Sequence, residues 1–180
     1  MDGAPCTNSW YGVTCESGTR QVTRLRLEDN SLFGTLPTEL GYLTTVTSQF
    51  VLAENALSGT LPTQLGDLNA TKFSAMFWLQ SNGFTGPIPT ELGRFSALTK
   101  QFYLYETQVS GTVPTELGRL TALTAQLKLQ SNVLTATLPS ELGMLTKLEK
   151  QLLLNNNGVT ALCLDLIAQG IQDDVKIESI

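Results

Sequence analysis

The chain has 180 residues, of which 42% are hydrophobic and 15% charged, so it can bury a sizeable core and is too apolar to be disordered. Its formal net charge is −5 and it has no basic run, which makes nucleic acid an unsuitable partner. The absence of histidine excludes Ser-His-Asp and Cys-His nucleophilic sites and histidine-ligated zinc. No apolar stretch approaches the roughly 18 residues that a membrane span requires, so we expect no membrane insertion within this chain.

The chain contains six units with a period of about 25 residues. The string Leu-Pro-Thr-Glu-Leu-Gly at 36–41 recurs, with small changes, at 61–66, 88–93, 113–118 and 138–143. An asparagine follows a leucine by three residues in five of the units, and Thr107 takes that place in the fourth. Because the two markers run in phase, they predict a repeat solenoid over 22–163.

Each unit is predicted to begin with a short parallel strand. In the pattern Leu-x-Leu the leucines point into the solenoid and the intervening residues point out, because side chains alternate along a strand. The asparagine that follows hydrogen-bonds loop backbone without a ladder partner, and Thr107 can do less of this, which predicts a looser fourth turn. Proline then stops the next extended stretch, and Thr-Glu-Leu-Gly predicts a capped helical turn on the convex side.

Residues 126–134, Gln-Leu-Lys-Leu-Gln-Ser-Asn-Val-Leu, match the leucine-rich repeat pattern L-x-L-x-x-N-x-L. With the Gly-Thr-Leu-Pro stretch of other units, the pattern resembles plant-type leucine-rich repeat proteins, whose consensus carries L-x-G-x-I-P after the asparagine; similar repeats occur in algae and protists. The resemblance covers roughly 22–164, with one residue more per unit than is usual. It implies an α/β solenoid: a curved, right-handed superhelix with a parallel concave β-sheet, a second short strand in each unit and short convex helical turns.

The first 21 residues resemble the N-terminal cap of this family, in which the motif W-x-G-V-x-C carries a disulfide. The resemblance implies that Cys6 pairs with Cys15, and such a disulfide persists in an oxidising compartment. We interpret Trp10 as a lid on the core rather than as a ligand contact, because the first repeat would otherwise expose its apolar end.

The last residues depart from the repeat. The apolar spacing of 164–172 predicts a helix, so we assign 164–180 to a C-terminal helical cap. Cys163 falls in an inward-pointing column, which favours a buried apolar residue over a reactive thiol.

The outward positions of the concave sheet vary between units, whereas the core leucines hardly vary. In the middle units they bring Met76, Trp78, Tyr103 and Tyr105 together, and exposed aromatic clusters are enriched in binding hot spots. The alternative is that these residues occur on the sheet face only because tyrosine and tryptophan favour strands. The candidate ligand-binding residues are Val51, Met76, Trp78, Gln101, Tyr103, Tyr105 and Lys128.

An acidic margin adjoins these positions, formed by Glu28, Asp29, Glu54 and Glu106. It could attract a basic peptide, or it could be a solvated charged face. The same carboxylates could in principle serve a glycosidase, but they lie on an open sheet without burial to raise one pKa, so we expect no enzymatic activity.

The resemblance extends to the ectodomains of plant receptors and to polygalacturonase-inhibitor-like proteins, whose concave sides engage a peptide, a protein or a glycan. It therefore implies a non-enzymatic recognition module, secreted or at the cell surface, without a cofactor or metal. The sequon Asn69-Ala70-Thr71 predicts glycosylation of Asn69 on the convex side, which would leave the concave sheet free.

A structural, adhesive or ice-binding role is the alternative function. Its motivation is a regular series of threonines that could order water. The series is broken by Pro87, and strand formation and helix capping also account for its members. The threonines are Thr35, Thr60, Thr112 and Thr137, beside Thr38, Thr63, Thr90 and Thr115.

Overall fold

Each repeat contributes a strand to one parallel sheet, a strand to a second sheet and, in the first five units, a 3-10 turn. The computed structural model describes residues 5–7, 10–68, 71–160 and 176–178, the last three by their backbone alone. Within these residues, the two sheets lie on either side of a continuous apolar core. The leucine-rich repeat solenoid predicted from the sequence is confirmed.

The first sheet, here called the concave sheet, keeps equivalent residues of successive units directly opposite one another. Arg24 pairs with Gln49, Gln49 with Met76, and so on to Gln151. Among the described strands of this sheet, only the first is antiparallel to its neighbour. The strands, in spatial order, are β1 (Val13–Cys15), β2 (Val22–Arg26), β4 (Gln49–Val51), β6 (Met76–Trp78), β8 (Gln101–Tyr103), β10 (Gln126–Lys128), β12 (Gln151–Leu153) and β14 (Lys176–Glu178).

The second sheet is parallel too, but its register differs. Thr35 lies opposite Ser58 instead of Thr60, and Thr60 lies opposite Thr85. Each strand is thus displaced by two residues relative to the repeat, so the predicted threonine series is staggered and does not form one straight row. The strands are β3 (Phe33–Thr35), β5 (Ala56–Thr60), β7 (Gly83–Pro87), β9 (Gln108–Gly111), β11 (Val133–Thr137) and β13 (Gly158–Thr160).

The core between the sheets is mainly leucine, with phenylalanines concentrated in the middle units. Phe77 lies at the centre, with ring centroids 5.8 Å from Phe50, 5.2 Å from Phe95 and 5.2 Å from Phe102. All of these rings are fully buried, and Phe50, Phe77 and Phe102 occupy the inward position of their strands. An aromatic core therefore underlies the units that carry the predicted binding residues.

The convex turns are 3-10 helices, and proline occupies each N-cap. The prediction that threonine caps them is wrong: Thr90 is the first helical residue, and its hydroxyl donates to the carboxylate of Glu91 at 3.3 Å. Glycine is required where successive turns meet, because a Cβ on Gly93 would lie 2.3 Å from the Glu116 carbonyl oxygen. The turns are Thr38–Tyr42, Thr63–Asp67, Thr90–Arg94, Thr115–Arg119 and Ser140–Met144.

Asparagine side chains join adjacent units between the two sheets. The Asn82 amide donates to the carbonyls of Leu52, Leu79 and Gln80 at 3.0–3.2 Å, and its oxygen accepts from the Leu57 N–H. Within the described part of the chain, Thr107 makes a single side-chain hydrogen bond, donated by its hydroxyl to the Asn132 amide oxygen at 2.5 Å. The prediction that Thr107 satisfies less of the loop backbone is confirmed.

At the N-terminal end, a disulfide joins Cys6 and Cys15, as the family resemblance implied. The side chain of Trp10 is 52% exposed, so it covers the core less than the lid interpretation requires. The Trp10 backbone instead holds the cap loop, accepting from the Val13 N–H at 3.1 Å.

At the C-terminal end, Lys176–Glu178 forms β14, which pairs in parallel with β12. This triplet is a strand and not part of a helix, so the helical cap predicted over 164–180 is corrected there. The predicted helix at 164–172, Cys163 and the sequon residue Asn69 lie outside the described residues.

Candidate functional site

The concave sheet brings the sequence-predicted binding residues together on its outward side, but it does not expose them equally. Met76, Trp78, Gln101, Tyr105 and Lys128 are half-buried and reach the surface. Tyr103 is only 7% exposed, and Val51 is fully buried between Arg26 and Trp78 in its row. Val51 therefore offers no side-chain surface to a ligand, contrary to the expectation of an exposed contact there.

Two aromatic side chains stack at the centre of this surface. The Trp78 and Tyr103 rings lie 5.3 Å apart and 11° from parallel, because β6 and β8 place them directly opposite each other. Tyr105 meets Tyr103 edge to face at 5.7 Å, and the Lys128 ammonium lies 5.0 Å from the Tyr103 ring centroid. These geometries are favourable aromatic and cation–π contacts. We call Trp78, Tyr103, Tyr105 and Lys128 the aromatic cluster.

A row of glutamines borders the aromatic cluster on the side where the strands begin. Gln101 donates to the Tyr103 hydroxyl at 2.8 Å, and that hydroxyl donates to the Gln126 amide oxygen. Gln126 in turn donates to Gln151 at 2.6 Å. The network fixes the orientation of Tyr103, so the stacked pair is held in place by its own neighbours.

Burial also changes the acidity of the two tyrosines. Desolvation, with a smaller contribution from Tyr105, raises the pKa of Tyr103 to about 12, against a lowering by the hydrogen bond from Gln101. Desolvation, followed by the negative charges of Glu106 and Glu54, raises the pKa of Tyr105, against a lowering by a hydrogen bond from Gln80. Both phenols therefore remain neutral hydrogen-bonding groups at neutral pH.

Charge divides across the concave sheet along the strand direction. The outward cations of the repeat strands, Arg24, Arg26 and Lys128, lie within the strands. The acidic margin follows the strand ends, and its residues at Asp29, Glu54 and Glu106 adopt left-handed backbone conformations with φ of 50–57°. Among the repeat strands these cations are confined to β2 and β10, and Arg26 forms an ion pair with Glu28 of the acidic margin.

Sequence reasoning missed one feature of this surface. The amide oxygens of Gln80, Gln130 and Asn155, two residues after their strands, are buried and have no hydrogen-bond partner within the described residues. The Trp78 indole N–H shares this property. Their outward positions in the repeat were predictable, but their lack of partners depends on side-chain conformation, which the repeat pattern does not show.

Solved structures of leucine-rich repeat proteins resemble the chain. The BIR3–SERK2 complex from Arabidopsis thaliana matches at a TM-score of 0.70 and 28% identity, covering 83% of this chain and 76% of that one. The ectodomain of the receptor kinase GASSHO1/SCHENGEN3 from the same plant, solved with CASPARIAN STRIP INTEGRITY FACTOR 2, matches at 0.65 and 26%, covering 93% and 28%. A plant ice-binding protein matches at 0.76 and 23%, covering 89% and 50%.

These similarities support the assignment of a plant-type leucine-rich repeat protein, in agreement with the sequence motifs. No protein-family model and no curated protein matches the sequence. Within the described residues, no helix has the length and apolarity needed to cross a membrane. The same part of the chain has no cluster of three potential metal-ligating side chains among Cys, Asp and Glu.

Proposed function

We propose that the protein is a non-enzymatic, extracellular recognition module that binds a peptide or a segment of a protein across its concave sheet. The aromatic cluster carries the proposal: it is central, backed by an aromatic core and bordered by polar groups, as binding hot spots are. The Cys6–Cys15 disulfide supports an oxidising, extracellular setting. The similarity to ectodomains, two of them solved with a partner, supports the recognition role.

The dimensions of the sheet suit a short extended ligand. The six repeat strands, β2, β4, β6, β8, β10 and β12, are about 4.8 Å apart and span roughly 24 Å, which an extended peptide of about eight residues would cover. Such a ligand would lie across the strands, with the aromatic cluster near its middle.

The test is a screen of the protein against a displayed library of random peptides of about eight residues and against a glycan array. A Trp78→Ala variant removes half of the stacked pair and is expected to lose the selected peptides. Phe33→Ala is the matched control, because Phe33 is an 86% exposed aromatic residue on the second sheet. Both variants must retain the parent's circular dichroism spectrum. Selected peptides that bind both variants equally would contradict the concave site. Binding of glycans but of no peptide would show that the ligand is a glycan.

A structural or ice-binding surface is the second candidate, and the composition of the second sheet favours it. Its six described strands contain no charged residue. Thr60 lies opposite Thr85 and Thr137 opposite Thr160, and all four are exposed. The stagger between units and Pro87 interrupt any longer row. Thermal hysteresis that a Thr60→Lys/Thr85→Lys variant abolishes would support this role, whereas its absence at high protein concentration would remove it.

A further inference from the structure

Resting on the proposed function, we propose that a cavity beside the aromatic cluster, lined by Lys100 and Lys150, binds a carboxylate of the ligand. The ligand is accordingly a peptide segment that places an acidic group next to the aromatic cluster. We call the cavity between these two lysines the lysine pocket.

Register places the two lysines on either side of a small residue. Lys100, Ala125 and Lys150 each precede the first residue of a concave strand, and those first residues pair directly across β8, β10 and β12. The Gln126 N–H donates to the Lys100 carbonyl at 3.0 Å, and the Gln151 N–H donates to the Ala125 carbonyl at 3.2 Å. The two lysine backbones therefore lie two strand spacings apart, about 10 Å.

The side chains around this row leave an open cavity of about 370 Å³. Ala125 lines it and has only a methyl group between the two long lysine side chains, so the gap between the lysines belongs to the cavity. Binding sites for small ligand groups are commonly concave spaces of roughly 300–1,000 Å³. The lysine pocket is thus large enough to receive an acidic side chain or the end of a peptide.

The two ammonium groups are the side-chain donors that the lysine pocket offers to a ligand. Gln101 also lines the pocket, but its amide donates to the Tyr103 hydroxyl at 2.8 Å and to the Gln126 oxygen at 3.2 Å. The Thr124 hydroxyl, a further part of the lining, donates to the Thr99 carbonyl at 2.8 Å. These two groups have no hydrogen left for a ligand, whereas each ammonium carries three.

The charges of the lysine pocket are not neutralised within the protein. The ion pairs within the described residues are Arg26–Glu28 and Arg94–Asp67, so neither lysine of the pocket is paired with a carboxylate there. Glu149 lines the pocket too, and it is exposed like the lysines. The pocket therefore carries two positive charges and one negative charge, on a chain whose net charge is −5. A carboxylate complements this local positive charge, and it is the anionic group that an unmodified peptide carries.

The lysine pocket adjoins the aromatic cluster. Met76 lines the pocket and lies two residues before Trp78 on β6, and Gln101 stands in the same relation to Tyr103 on β8. Side chains two residues apart on a strand share one face at a spacing of about 7 Å. A peptide with one side chain on the aromatic cluster would therefore reach the pocket with a neighbouring residue.

The test starts from octapeptides selected on the full chain from a displayed random library. The library is displayed in two forms, with the C-terminus free or attached to the carrier. The two forms separate a C-terminal carboxylate from the side chain of an aspartate or glutamate. We expect the selected peptides to be enriched in acidic residues or to require the free C-terminus, and Lys100→Gln/Lys150→Gln to abolish this preference.

Selected peptides are then synthesised with the carboxylate and with the matching amide in its place, and their binding is measured by fluorescence anisotropy. The amide form should bind the parent about tenfold more weakly, because it loses a charge-assisted hydrogen bond. Both forms should bind Lys100→Gln/Lys150→Gln with similar affinity, since the partner of the carboxylate is then absent. The difference on the parent should shrink at high salt because the lysines are exposed.

Two further variants test the sign and the place of the effect. Glu149→Gln removes a repulsive charge and should tighten binding of the carboxylate form about twofold. Lys72→Gln/Arg119→Gln is the matched control, because it changes the net charge as much as the lysine variant at two exposed positions that do not line the pocket. It should change the binding of neither form. Should the lysine variant fail to fold, the peptide pair on the parent and on Glu149→Gln decides.

The outcomes separate this inference from the proposed function. Equal binding of the two peptide forms to the parent, or a difference that persists in the lysine variant, overturns the lysine pocket as a carboxylate site. Weaker binding of the carboxylate form to Glu149→Gln overturns it as well. The proposed function survives these results if Trp78→Ala still abolishes binding.

Selection of no peptide counts against both proposals. Binding that Trp78→Ala leaves unchanged also counts against both, because the lysine pocket is inferred for a ligand seated on the aromatic cluster. A preference for the carboxylate form that the lysine variant loses and the matched control keeps supports the lysine pocket.

Discussion

The two sheets of this protein share one core and one repeat but present different surfaces. On the concave sheet, outward side chains contact one another: Trp78 stacks on Tyr103, and Gln101 and Gln126 hydrogen-bond to it. On the second sheet, the exposed residues are mostly threonine, serine, alanine and glycine, without a charge in the strands. The same scaffold therefore supports a chemically diverse surface on one side and a uniform one on the other.

The difference shows which part of the sequence is free to specify binding. Leucines and phenylalanines fill the core positions of both sheets, so neither face can change them without loss of packing. Only the outward positions vary, and on the concave sheet this variation concentrates aromatic and charged groups in the middle units. We infer that recognition resides there and that the second sheet tolerates substitution more freely.

The largest expected effect contrasts outward residues of the two sheets. Tyr103→Ala should lower the free energy of unfolding by about 3–5 kcal/mol, because it removes a nearly buried aromatic ring on which Trp78 stacks. Thr85→Ala on the second sheet should change it by no more than about 0.5 kcal/mol, since Thr85 is exposed. Urea unfolding of both variants measures the contrast. Similar losses in the two would mean that the sheets do not differ in this way.

The next effect concerns the asparagines that join the sheets. Asn82→Ala should cost about 2–4 kcal/mol, because it leaves the Leu57 N–H and several carbonyls without a side-chain partner in a buried place. Asn30 is the matched control: it is exposed, and among the described residues its amide donates to a single carbonyl, that of Glu28. Asn30→Ala should cost less than about 1 kcal/mol by the same unfolding measurement. Equal costs would contradict the view that interior units depend on this link.

The contrast between the sheets also shows what the sequence could predict. In the concave sheet, successive strands pair without displacement, so period and alternation were enough to place Trp78 opposite Tyr103. In the second sheet the register moves by two residues per unit, which placed Thr35 opposite Ser58. The period gives the spacing of equivalent residues along the chain, but it does not give the offset at which neighbouring strands pair.

Within the candidate site, side-chain environment was harder to predict than position. Alternation places Val51 and Gln80 on the outward side, but it does not show how far larger neighbours cover them. Val51 is consequently buried, and Gln80 is buried with an unpartnered oxygen. The Cys6–Cys15 pairing followed from the family motif, since two cysteines alone do not show whether they bond.

A third effect uses pH to probe the buried phenol of the concave sheet. Burial raises the pKa of Tyr103 to about 12 from an unperturbed value of 10.0, so the folded chain keeps a proton that the unfolded chain releases. The stability from this difference is complete below pH 10 and is lost as the pH rises through about 12. Unfolding free energies of the parent and of Tyr103→Phe, measured across this range, should converge as the pH rises. Parallel profiles would show that the phenol does not titrate differently in the folded chain.

The smallest expected effect is a gain in stability at the hydrogen-bonded link between units beneath the aromatic cluster. Thr107 stands in the asparagine column of the fourth unit, the unit that supplies Tyr103 and Tyr105, and it makes one side-chain hydrogen bond where Asn82 makes four. Thr107→Asn should therefore raise the free energy of unfolding by about 0.5–1 kcal/mol, the net value of a typical added hydrogen bond. Val133→Asn, an exposed change on the second sheet, controls for the new amide itself. A destabilised Thr107→Asn variant would show that the threonine hydroxyl stabilises this position better than an amide. The fourth unit would then not be less stably linked to its neighbours than the other units are.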